Sequence, residues 1–268
     1  MKILNKINPL LLRGGARGGV IKLFFLLSPV AAKAQTSSHL IGLGPSKVLD
    51  TYLTPENFSG TGFTYLYIKE NQDTTRRWTN TYEHEVDISN THDRSHNIND
   101  LEITYNLYWA RYYNFRPIAN GLKLQAGVAA NLCTGAIYNM TSSNNPAQAR
   151  AALNIMPSAT ATYGFNIGRQ RFTARYEFNL PLAGLMFSPN YGQSYYEIFS
   201  RGNYDHNIVP TTFISAPTFR QMLSIDWHYS KKWALRLGYL GNYQQARVNN
   251  LKNHIYTHRF LIGITRKI

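Results

Sequence analysis

Asp226, His228 and Ser230 stand at successive i, i+2 positions and therefore share one face of any strand that holds them. Acid, base and hydroxyl are the parts of a nucleophilic triad, and on that composition alone they form a candidate for acyl hydrolysis. A second group lies in residues 82–100, where His84, His92 and His96 are mixed with Glu83, Glu85, Asp87, Asp93 and Asp100. The i, i+4 spacing of His92 and His96 would put both rings on one helix face, as zinc requires. Asp93, Arg94 and Ser95 between them make a poor helix, so the segment reads as a solvated loop, and no cofactor is implied.

Three acids, Glu102, Glu177 and Asp226, fall on the same strand faces as Lys123, Arg171, Arg175, Arg220, Arg236 and Arg259. Buried charges persist only when paired or wet, so this set predicts a lumen filled by cross-strand ion pairs. Were that lumen open, its cationic excess would select anions. Segment 187–199 gathers Tyr191, Tyr195, Tyr196 and Phe199 with Gln193 and Glu197 around Gly192. Such a loop either meets a partner or a sugar, or folds back as a lid, and we read it as a lid.

These residues need elements to position them, and the elements announce themselves by alternation. Phe219, Leu223, Ile225, Trp227 and Tyr229 oppose Arg220, Ser224, Asp226, His228 and Ser230, and Trp233, Leu235, Leu237 and Tyr239 follow after Lys231 and Lys232. That is a β-hairpin. Period-two patterns recur at 101–109, 122–131, 158–167, 171–180 and 255–268. The N-terminal third is less regular: 60–70 is apolar on both faces, 74–87 shows only Trp78 and Tyr82, and 38–53 is broken by Pro45. The total is ten strands, with eight and twelve as the neighbouring even counts.

Residues 1–34 carry six basic side chains and no acid, then the apolar run Leu23 to Ala32, then Ala32-Lys33-Ala34. This reads as a signal peptide cleaved near Ala34, leaving 35–268 as one domain. Its removal takes six of 28 basic residues and none of 14 acidic ones, so the mature chain is near +8 rather than +14. No motif supports nucleic-acid binding. Cys133 is the only cysteine, which excludes an intramolecular disulfide framework.

Alternation alone does not separate a membrane barrel from a soluble β-protein. Strand length, short turns at 168–170 and 231–232 against longer connections at 86–98, 140–150, 188–217 and 244–254, and aromatics beside the short turns favour the membrane. Trp109, Phe165, Trp227, Tyr229 and Trp233 would form one interfacial girdle, with Tyr138, Tyr243 and Tyr256 near the other rim. Pro157 falls on the lipid-facing parity, so this reading expects it near the outer rim.

The ending Gly263-Ile264-Thr265-Arg266-Lys267-Ile268 resembles the terminal strand by which the insertion machinery recognises outer-membrane barrels. Val48 to Leu53 and Met186 to Phe199 resemble segments of an uncharacterised family of exported Gram-negative proteins. His228-Tyr229-Ser230 superficially resembles the His-x-Ser pair of outer-membrane lipid hydrolases, although its inferred lumenal face argues against contact with an acyl chain. The expectation is an all-β, antiparallel transmembrane barrel, monomeric, in the outer membrane among lipid and lipopolysaccharide. A structural, adhesive or ligand-binding role through surface loops, toward an extracellular ligand or glycan, is preferred. A lipid hydrolase using His228 and Ser230 and a narrow anion channel are the alternatives.

Overall fold

The alternation becomes one antiparallel sheet, described by a computed structural model over residues 35–268 apart from 72–75, 116–120 and 142–145. The segment 1–34, expected to be a signal peptide, lies outside the described residues. In chain order the strands are β1 (Gln35–Asp50), β2 (Thr54–Asn71), β3 (Trp78–His92), β4 (Asn99–Asn114), β5 (Leu122–Asn139), β6 (Ala147–Ile167), β7 (Gln170–Asn179) and β8 (Ala183–Phe187). A short helix α1 (Tyr195–Phe199) precedes β9 (Ile208–Thr212), β10 (Phe219–His228), β11 (Trp233–Val248) and β12 (Leu251–Lys267). Each of β1 to β6 pairs with the next, β7 pairs β10, β10 to β12 run on as hairpins, and β12 returns to β1. Ten strands therefore close a barrel, and β8 and β9 are two extra strands set on the upper part of β6.

Burial is inside out. Phe260, Ile262, Ile264, Leu237 and Leu223 are exposed on the outer wall, while Arg236 and Arg259 inside are at most 1% exposed. Period two explains this, since odd and even residues of one strand face opposite sides. At the end that carries both termini, exposed Trp78, Tyr113, Trp109, Trp227 and Trp233 ring the outer wall. Trp78 and Tyr113 meet edge to face at 5.3 Å, Phe165 and Phe172 stack at 5.6 Å, and the Trp227 indole donates to Gln170 at 3.0 Å.

Several strands run further than their sequence patterns predict. β3 continues to His92, β6 starts at Ala147, and the expected loop 244–254 is instead the end of β11, the start of β12 and a two-residue turn. Asn249 and Asn250 in that turn have φ of 50° and 60°. Asparagine tolerates this left-handed region, which suits the twist of a tight hairpin. Of the long connections, 188–217 carries α1 and β9 and is the large excursion.

The prolines mark where the ladder changes. β1 is continuous through Pro45, but its pairing to β12 lapses between Leu43 and Ser46. Arg259 Nη1 donates to the freed carbonyls of Gly44 and Pro45, each at 2.9 Å. Pro157 lies in mid-strand on the outer wall, not at the rim. Its carbonyl accepts from Leu180 at 3.1 Å, so its missing N–H also faces the segment where β7 gives way to β8. The barrel tolerates Pro157 because its neighbour is already interrupted there.

Candidate functional site

Arg220 is the centre of the lumen. Its guanidinium donates to Glu83 at 2.7 Å, to Glu85 at 3.0 Å and to Glu177 at 3.3 Å, and it lies 4.5 Å from the Tyr108 ring centroid. Toward the end that carries the termini, Arg175 bridges Glu70 and Glu177, and Arg236 holds Asp226 through two bonds of 2.6 and 2.8 Å. Toward the other end, Arg259 binds Asp87 at 2.7 and 2.9 Å and also Ser46 and Ser89, while Arg150 joins Glu102 at 3.1 Å to Gln244 at 2.6 Å. Arginine suits this task because its planar fork reaches several oxygens at once.

Apolar clusters fill what the charges leave. Leu40, Leu66, Ile68, Met222, Leu240 and Leu261 pack on the wall made by β1, β2 and β10 to β12. Tyr108, Ala110, Tyr112, Ala129 and Met156 pack on the β4 to β6 wall, and Val48, Phe58, Ile137 and Ile255 form a third cluster with Leu53 and Ile98. The double-sided apolar pattern of 60–70 is thereby explained: Leu66 and Ile68 fill the lumen while Phe63 and Tyr65 face outward.

The charge balance differs from the expected one. The predicted set named three acids, whereas Glu70, Glu83, Glu85 and Asp87 also point inward. Carboxylates therefore outnumber arginines in the middle of the lumen, and the cationic excess is confined to the opening where β1 begins and β12 ends, where Arg171 and Lys267 line the mouth. The missed acids had a signal. Thr79, Thr81, Glu83, Glu85, Asp87 and Ser89 alternate as a polar face, but β3 has too few apolar partners on the other face to expose the period. Arg150 carries no signal because the period-two pattern of β6 begins only at Ser158, eleven residues after the strand itself starts at Ala147.

At the opposite end the excursion closes over the barrel. Tyr195 donates to Gln148 at 2.9 Å, accepts from the Ala149 amide at 2.7 Å and packs edge to face on Tyr52 at 5.6 Å. Burial raises its phenol pKa. Asn249 in the β11–β12 turn donates to the carbonyls of Ser188 at 3.1 Å and His206 at 2.9 Å. Gln193 accepts from the Asn190 amide and from Asn207, and donates to the Asn203 carbonyl. Ser194 and Glu197 cap α1 reciprocally, which holds the Glu197 carboxyl below its ordinary pKa. Three of the six predicted loop residues thus build the lid, while Tyr191, Tyr196 and Phe199 are 74%, 62% and 62% exposed. Arg201 lies over the Tyr196 ring at 5.4 Å.

The three candidate triad residues do not bond one another. Asp226 is held by Arg236, His228 Nε2 meets the Thr173 hydroxyl at 2.8 Å, and Ser230 Oγ accepts from the amides of Lys232 and Trp233 in the turn. The three histidines of 82–100 do not converge on one point either. His84 is on the outer wall, where Nδ1 meets the Tyr105 hydroxyl at 2.8 Å, while His92 and His96 stack at 3.7 Å in the 93–98 turn. There Asp93 accepts from the Ser95 hydroxyl and the amides of Ile98, Asn97 and Ser95, which pushes its carboxyl pKa down to about 2. Among the described residues no group of three or more His, Cys, Asp or Glu is arranged to hold a metal.

The family model described as protein of unknown function (DUF3316) matches residues 27–268, and the chain belongs to that family. No curated protein matches it in sequence. Among solved structures the chain is similar to the transport unit of the autotransporter AIDA-I from Escherichia coli, with a TM-score of 0.45, 8% identity and 91% of this chain and 94% of that one covered. It is also similar to the outer membrane protease OmpT from Escherichia coli (TM-score 0.42, 8% identity, 88% and 96% covered). A third likeness is to Neisserial surface protein A (TM-score 0.37, 10% identity, 88% and 97% covered).

Proposed function

We propose that this member of the family is a monomeric, non-conducting barrel of the Gram-negative outer membrane that acts through the outward face of its lid. The observation that carries the reading is the filled lumen: Arg220 and its three carboxylates occupy the middle of the barrel with almost no exposure. The apolar outer wall supports a lipid surround, because so many large exposed side chains would be unfavourable in water. An even strand number puts both termini on the periplasmic side and the lid outside, against lipopolysaccharide. The insertion machinery would read the exposed Phe260, Ile262 and Ile264 of β12. Tyr191, Tyr196 and Phe199 are amphipathic or apolar rings on a braced scaffold, which suits adhesive contact with an extracellular ligand or glycan.

Two measurements test it. Purified folded protein in a planar bilayer is expected to remain silent, and discrete conductance steps would overturn the closed lumen. Binding of fluorescent protein to a glycan array is expected to fall at least tenfold in Tyr191→Ser/Tyr196→Ser/Phe199→Ser. Unchanged binding by that variant, or no binding by the native protein, would overturn the role of the lid.

A further inference from the structure

At the end that carries both termini the lumen opens into a cavity of about 230 Å³, against about 60 and 10 Å³ for the voids deeper inside. Its charged lining is unbalanced. Glu70 is bound by Arg175 and Asp226 by Arg236, so the direct ion-pair contacts of both acids are made by these two arginines. Arg171 at the start of β7 and Lys267 at the end of β12 enter the same cavity, as does Lys123 from β5. Among the described residues no carboxylate pairs with Arg171 or Lys267. His228 is the direct cross-strand neighbour of Arg171 and lines the cavity beside it.

Cations brought together from separate strands repel one another, and the arrangement is favourable only when water or an anion lies between them. The remaining lining is suited to an anion rather than to water alone. Thr162, Thr173 and Thr265 contribute hydroxyls that can donate, and the cavity far exceeds the room one water needs. Guanidinium and ammonium donors with adjacent hydroxyls are the chemistry that binds phosphate oxygens. The deeper lumen lacks this property, because its acids outnumber its arginines.

We infer that this inner mouth is a binding site for a phosphate-class anion, with Arg171 and Lys267 as the principal ligands and His228 and the threonine hydroxyls around them. The site is independent of the lid and of any partner outside the cell. The anion comes either from a soluble periplasmic phosphate compound or from the headgroup of an anionic phospholipid in the inner leaflet.

The test is a calorimetric titration of inorganic phosphate into the folded full-length barrel in a phosphate-free non-ionic detergent. One saturable site is expected, weakened at least tenfold in Arg171→Gln/Lys267→Gln. Lys231→Gln/Lys232→Gln, in the adjacent turn and outside the cavity, should bind as the native protein does. Arg171→Lys/Lys267→Arg keeps the charge and should keep measurable binding, which separates loss of ligand chemistry from loss of fold. No saturable binding by the native protein, or equal binding by the Arg171→Gln/Lys267→Gln variant, would overturn the inference. Repeating the titration in phosphatidylcholine nanodiscs with and without phosphatidylglycerol assigns the source. Competition by phosphatidylglycerol identifies the headgroup, and unchanged affinity identifies a soluble anion.

Discussion

The middle of the lumen and the external excursion both concentrate unusual side chains, yet they use them in opposite ways. In the lumen, Arg220, Arg175, Arg236 and Arg259 are each engaged by a carboxylate of the same interior, and nothing there faces outward. In the excursion, Gln193, Tyr195 and Glu197 bind the protein through their polar atoms, while Tyr191, Tyr196 and Phe199 leave most of their ring surface exposed. The lesson is that charge density marks the stability of this molecule, and on the proposed reading the exposed aromatic surface is what is left over for recognition. Substitutions in the first region should change unfolding, and those on the exposed half of the second should change binding alone.

The sharpest break is Arg220→Met, which leaves Glu83, Glu85 and Glu177 without their shared partner. Breaking a buried pair from one side costs about 3–5 kcal/mol, and an effect at the upper end is expected in urea unfolding from lipid. Next comes Gly62→Ala. A Cβ there would stand 2.2 Å from Arg259 Nη2 and 2.5 Å from Ser89 Oγ, so the Arg259 fork must shift, at a cost of about 1–3 kcal/mol in the same assay. Tyr195→Ala should free the lid without opening the barrel: protease cleavage within 188–207 should accelerate, while the unboiled protein should still migrate differently from the boiled protein on a detergent gel, as a closed barrel does. Tyr191→Ser/Tyr196→Ser/Phe199→Ser should move stability by no more than about 0.5 kcal/mol. If that variant unfolds like Arg220→Met, the contrast between the two regions fails.

The smallest effect concerns the 93–98 turn. The Asp93 carboxyl is held at about 2, against about 3.9 in an unfolded chain, so its contribution is complete above the unfolded value and is lost as pH falls through the folded one. The Ile98 amide resonance, which reports its bond to Asp93, should titrate near pH 2. A midpoint near 4 would show that the turn does not hold the charge.

The sequence made the barrel legible where both faces of a strand spoke. β10, β11 and β12 alternate apolar against polar, so their faces, their hairpin and the lumenal position of Arg220, Asp226, Arg236 and Arg259 follow from period two. β3 hid its lumenal acids because Asn80 and His84 share its outer face with Trp78, Tyr82, Val86 and Ile88, so Glu83, Glu85 and Asp87 looked like a charged loop. β1 and β6 were shortened by Pro45 and Pro157, whose effects depend on a neighbouring strand or a distant arginine that no local pattern contains. The triad at Asp226, His228 and Ser230 had the right residue types on one face, but sequence spacing could not reveal that Arg236, Thr173 and the 229–232 turn would each take one member.

The most direct test of the inside-out barrel is a spin-label scan along β11. With Cys133 replaced by Ala, single cysteines at 235 to 240 would be labelled and their collisions with oxygen and with a water-soluble nickel reagent compared in lipid. The account predicts a period of two, with Leu235, Leu237 and Tyr239 positions accessible to oxygen and Arg236, Gly238 and Leu240 positions shielded from it. The reverse pattern, with the even positions open to the nickel reagent and the odd ones shielded from both, would make the apolar wall the core of a water-soluble domain and contradict the account.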